Sequence, residues 1–78
     1  MAMDWTATPQ SSQITRVGFD ADTNKGGVGF INRRTGEEQS VYEYEGCTRE
    51  EADAIINAES VGRQFAATWK YGKTYHRL

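Results

Sequence analysis

The sequence predicts an α+β domain in which an antiparallel β-meander of three or more strands is packed on one face by two helices. Three observations carry that expectation. Short runs rich in β-branched and aromatic residues fill residues 13–45 and are separated by turns rich in Gly, Asn and Thr. The tetrapeptide Thr48-Arg49-Glu50-Glu51 is a capping box, with a hydroxyl that can accept from the amide three residues on and a carboxylate that can reach back. Beyond it the apolar residues recur at helical spacing.

Each element follows in order. Residues 1–12 hold the only proline, Pro9, among Thr, Gln and Ser, and 1–10 read as a flexible lead-in to a single domain over 11–78. A first strand spans 13–20, with Val17 and Phe19 on one face and Ile14 out of phase, which predicts a bulge or a frayed start. The run Asp22-Thr23-Asn24-Lys25-Gly26-Gly27 is a turn by composition, and Val28 to Asn32 alternates as a second strand. Arg33 to Glu37 turns again, and Gln39 to Glu45 makes a third strand. A helix starts at the Thr48 cap and runs to about 58, with Ile55 and Ile56 supplying its buried stripe. Ser60 then caps a second helix over 60–69, on which Val61, Phe65 and Trp69 stand four apart on one face. The remainder, Tyr71 to Leu78, reads as an extended tail or a closing strand. Ile55, Ile56, Phe65, Phe30 and Phe19 are the expected core.

Composition bounds the function. A chain of 78 residues buries only roughly 60 % of its unfolded surface, so self-association into a homo-oligomer is expected. One Cys and one His, Cys47 and His76, allow no internal disulfide and are too few for an all-Cys/His zinc site. No metal and no cofactor are expected. No apolar run has the length needed to span a bilayer, and the start lacks a basic flank and an apolar signal core, so the expected setting is cytoplasmic, with no membrane partner. The net charge of −2 conceals an asymmetry: all eleven acids lie in residues 1–60, whereas 61–78 hold Arg63, Lys70, Lys73 and Arg77 with no acid. A bulk duplex binder is basic overall, so this pattern points to a local anion site instead.

Three stretches can carry such a site. Tyr42 and Tyr44 share one face of the third strand and are either both core or both displayed; packed rings with exposed hydroxyls would line a pocket. Ser60-Val61-Gly62-Arg63 combines a hydroxyl, a glycine and a guanidinium at a helix start, where free amides suit a phosphate or carboxylate, although an ordinary cap with an exposed arginine has the same residues. The tail "WKYGKTYHRL" interleaves Trp69, Tyr71, Tyr75 and His76 with Lys70, Lys73 and Arg77. Rings of this kind stack on bases while cations meet phosphates, and the same residues would equally serve a strand that seals the core. Cys47 and His76 read as structural, and no pair of carboxylates has a spacing that dictates acid/base work. No enzymatic activity is expected.

The ordered series Ser11-Ser12-x-Ile14, Val17-Gly18-Phe19-Asp20, Tyr42-x-Tyr44, Ala58-x-Ser60-x-Gly62-Arg63-x-Phe65 and a Tyr-rich basic end resembles the KTSC domain over roughly residues 11–78. The chain departs from that pattern at Gly46-Cys47, at Ala66-Ala67 and in a longer turn around Arg33 to Glu38. The family occurs appended to some lysyl-tRNA synthetases and alone in small bacterial and phage proteins, so the resemblance implies a bacterial or phage-infected host cell and leaves nucleic-acid binding as one role. The residues and the resemblance together lead to a non-catalytic module holding a nucleotide or cyclic-nucleotide-type anion, including a phage protein that sequesters a nucleotide signal. Its expected contacts are Tyr42, Tyr44, Ser60, Arg63, Lys70, Lys73, Tyr75 and Arg77. The alternatives are a single-stranded RNA binder and a protein-interaction module.

Overall fold

The computed structural model describes residues 3–78 and shows the expected α+β meander, with five strands. The strands are β1 (Asp4–Ala7), β2 (Ile14–Asp20), β3 (Lys25–Ile31), β4 (Glu38–Tyr44) and β5 (Tyr75–Arg77), ordered along the sheet as along the chain, every neighbour antiparallel. Between β4 and β5 come α1 (Arg49–Ile56) and α2 (Val61–Phe65), and α2 continues through a wider π-type stretch, Ala66–Lys70. No helix among the described residues is long and apolar enough to cross a membrane.

The two faces of the sheet differ because side chains alternate along each strand. Val17, Phe19, Val28 and Tyr44 point inward and pack with Ala52 and Ile55 of α1 and Val61, Phe65 and Trp69 of α2. The bulge expected near Ile14 is present, as a register shift between Ile14 and Arg16. It lets Ile14 enter the core, fully buried, while Arg16 faces outward.

Trp69 is the largest fully buried side chain. Its ring lies against Gly26 of β3, where any Cβ would overlap it, so a glycine there is a steric requirement of the packing. The indole Nε1 donates to Glu51 Oε1 at 3.2 Å, and the same oxygen accepts the Thr48 amide at 3.0 Å to complete the capping box. One carboxylate thus ties the start of α1 to the far end of α2. Glu51→Ala is expected to cost about 1–3 kcal/mol, because it leaves a buried indole N–H and a cap amide without their acceptor; the midpoint of urea unfolding measures it.

Three expectations need correction. The stretch read as a flexible lead-in contains β1, which pairs Asp4–Ala7 with β2. The cause is Trp5, whose ring covers Gly18 and Gly27 on the outer face and is covered in turn by the Arg16 guanidinium, 4.0 Å from the ring centroid. Arg16 also donates from Nε and Nη2 to both oxygens of Glu38, at 2.9 and 3.0 Å, and this pairing holds the Glu38 carboxyl below its ordinary range. Second, only Ile55 of the isoleucine pair is fully buried, with Ile56 partly buried at the margin of the core; Phe30 sits there too. Third, β3 begins at Lys25, so its glycines belong to the strand and the turn shrinks to the residues around Asn24, which adopts a left-handed φ of 57°.

Candidate functional site

Tyr42 and Tyr44 lie two apart on β4 and both face the helices, yet their surroundings separate them. Tyr44 is 5 % exposed and meets the rings of Phe65, Trp69 and Tyr75 at 5.5, 6.1 and 5.7 Å between centroids. Tyr42 is half-buried and meets Phe30 and Tyr75 at 5.7 and 5.9 Å. The either-or reading of the pair therefore gives way to a gradient, because the fully buried Trp69 stacks on Tyr44, whereas Tyr42 meets the partly buried Phe30. β5 brings in Tyr75, which the register sets opposite Tyr44, and Arg77, which it sets opposite Tyr42. Residues directly opposite share a face, so all four stand on the helix side of the sheet.

These rings form the floor of a groove of about 670 Å³, walled by Phe65, Ala66, Lys70 and Tyr71 on one side and by Phe30 and Gln13 on the other. Such a volume is typical of a small-molecule site. The rim is displayed: Tyr71 is 74 % exposed and Tyr75 57 %. Beside the groove lies a second recess of about 410 Å³, lined by Ser11, Ser12, Gln13, Ser60 and Arg63 among others. Gln13, Gly62 and Ala66 border both, so the two form one cleft with an aromatic end and a hydroxyl-rich end that holds Arg63 and Glu59.

The charged residues lining the cleft are Arg63, Lys70 and Glu59, a net of one positive charge. Among the described residues neither Arg63 nor Lys70 has a carboxylate within ion-pair distance; the Lys70 ammonium lies 5.6 Å from the Tyr71 ring centroid instead. Ser60 has part of its capacity engaged, since its hydroxyl accepts the Arg63 amide at 3.4 Å as the cap of α2. The expectation of wholly free amides there is corrected accordingly, and the guanidinium and the serine-rich rim supply the donors.

Three tail residues fall elsewhere. Lys73 donates from Nζ to the Gly46 carbonyl at 2.7 Å and lies 3.7 Å from Glu51, so its charge serves the start of α1 and not the cleft. Trp69 seals the core, and His76 points to the outer face, 2.8 Å from Glu45. Gln13, Tyr71 and Ser40 line the groove but were not among the expected contacts. For Tyr71 the alternation of rings and cations in the tail was a usable signal; for Gln13 there was none, because its place depends on the bulge beside it.

Cys47 and Tyr44 share a pH signature. Burial pushes the Cys47 thiol up from 9.0 to about 11 and the Tyr44 phenol from 10.0 to about 12. Both groups ionise less readily folded than unfolded, so the stability they contribute is complete below about pH 9 and is lost as the pH rises through 11 and 12. Urea midpoints should therefore fall progressively above pH 9, and less so in Cys47→Ala; an unchanged midpoint up to pH 11 would contradict the burial of both groups.

The family model described as the KTSC domain matches residues 10–71. Among solved structures, that of a KTSC domain protein from Yersinia pestis is similar to this chain at 26 % identity and a TM-score of 0.79, over 99 % of each chain. No curated protein matches.

Proposed function

The chain belongs to the KTSC domain family, and on that premise we propose that it is a non-catalytic binding module whose cleft holds a nucleotide-type anion. The observation that carries this reading is the continuity of the aromatic groove with the recess at Arg63. A base lies against Tyr42, Tyr75 and Tyr71, where stacking contributes about 1–3 kcal/mol per base. The phosphate lies at Arg63 and the serines, and Lys70 stands at the aromatic end beside Tyr71. Binding of this kind needs no reacting group, which suits a role in sequestering a nucleotide signal.

The exposure of Tyr71 and Tyr75 at the rim supports a second reading, single-stranded RNA running across the groove. A thermal-shift screen with AMP, ATP, cyclic AMP, a cyclic dinucleotide and oligouridine tests both. A ligand present at 100 times its dissociation constant adds about 2.7 kcal/mol of stability, which is readily seen in a small domain. Stabilisation by a mononucleotide that persists at raised salt supports the first reading, and stabilisation by oligouridine alone that collapses with salt supports the second. No stabilisation by any of them would sink both.

A further inference from the structure

β5 is the last strand of the sheet among the described residues and pairs with β4 alone. Its ladder alternates in the antiparallel manner: Glu45 donates to the Thr74 carbonyl at 2.9 Å, and Leu78 donates to the Val41 carbonyl at 2.8 Å. Thr74, His76 and Leu78 thus direct their peptide groups at β4, and Tyr75 and Arg77 direct theirs away from it. Outward N–H and C=O groups are a template for another strand. Natural edges are commonly blocked by a proline or a lysine, and β5, Tyr-His-Arg, has neither.

We propose that two copies of this chain pair antiparallel through β5 about His76, placing Arg77 of each beside the Tyr75 ring of the other. The register follows from the outward groups. A centre at His76 sets Tyr75 opposite the second copy's Arg77, and every outward N–H and C=O of both strands then finds a partner. Centres at Tyr75 or Arg77 would pair one residue of each strand and set like residues face to face. The occupant is a second copy because the edge is complementary to itself: a guanidinium meets an exposed aromatic ring on both sides of a two-fold axis, and no like charges oppose each other on the inner face. Opposite residues share a face, so the second copy's Arg77 arrives on the groove side of the sheet, next to a ring that is 57 % exposed in one copy. The use of this cation by a ligand rests on the nucleotide reading above; the pairing itself does not.

Three residues of edge pair weakly, so a covalent trap is the suitable test. At the two-fold axis His76 faces its own copy as a non-hydrogen-bonded pair, with Cα atoms about 4.5 Å apart, inside the range that a disulfide spans. His76→Cys under a mild oxidant is therefore expected to convert to a disulfide-linked dimer, while Cys47 stays protected by burial. Adding Arg77→Pro should abolish the cross-link, since the N–H it deletes faces the second copy and leaves the β4–β5 ladder intact. Circular dichroism of each variant confirms that the sheet persists. The proposal is overturned if His76→Cys cross-links no faster than Arg33→Cys on the exposed turn before β4, or if Arg77→Pro leaves the cross-link in place. No ligand enters the assay, so failure of the nucleotide screen leaves this result readable.

Discussion

Trp69→Ala is expected to remove about 3–5 kcal/mol of stability, the usual loss when a buried tryptophan is truncated to a cavity. A domain of this size has about 5–15 kcal/mol in total, so the variant should be partly unfolded at physiological temperature. Three connections are lost together. The ring is fully buried, it stacks on Tyr44 beneath the groove, and its N–H reaches the carboxylate that also caps α1. The partner position provides a sharper test. Gly26→Ala alone should cost about 1–3 kcal/mol, because the new methyl overlaps the indole. In the Trp69→Ala background the same methyl enters an empty space and should cost far less, so the two losses will not add. Urea denaturation with unchanged slope measures both. A loss below about 1 kcal/mol for Trp69→Ala would contradict the central place given to this residue.

Arg63→Ala is expected to weaken binding of the best nucleotide from the thermal-shift screen by about tenfold to a hundredfold, the effect of losing one charge-assisted contact. The fold should survive, because among the described residues Arg63 makes no ion pair and lies on the rim of the cleft. Lys73→Ala provides the discriminating comparison. It removes the same unit of charge from the same basic stretch, yet its ammonium is held at Gly46 and Glu51. Calorimetry should therefore find a large loss for Arg63→Ala and Lys70→Ala and almost none for Lys73→Ala. Equal losses for all three would mean that the C-terminal charge acts as a diffuse field and not through a built site. Tyr42→Phe removes one hydroxyl without opening a cavity and should weaken binding only slightly if the ring face makes the contact.

The elements legible in the sequence were those that local chemistry decides. The Thr48–Glu51 capping box is present as read, with both reciprocal hydrogen bonds, because a cap involves only residues three apart. Val61, Phe65 and Trp69 do share one buried face, since helical spacing sets it. Tyr42 and Tyr44 do face the helices, because alternation along a strand leaves no other choice once one face is covered. What the tertiary structure alone decided involves residues far apart in the chain. β1 exists because Trp5 finds a trough at Gly18 and Gly27, and proline-and-serine composition near the terminus carries no trace of that contact. Lys70 and Lys73 are equivalent in composition, and only the course of the chain after α2 directs one to the groove and the other to the Gly46 carbonyl. The cleft itself is assembled from the connection between β1 and β2, from β3, β4, α2 with its π-type continuation, and from β5, so its walls are set by the packing of a sheet on a helix and by no spacing that the sequence displays.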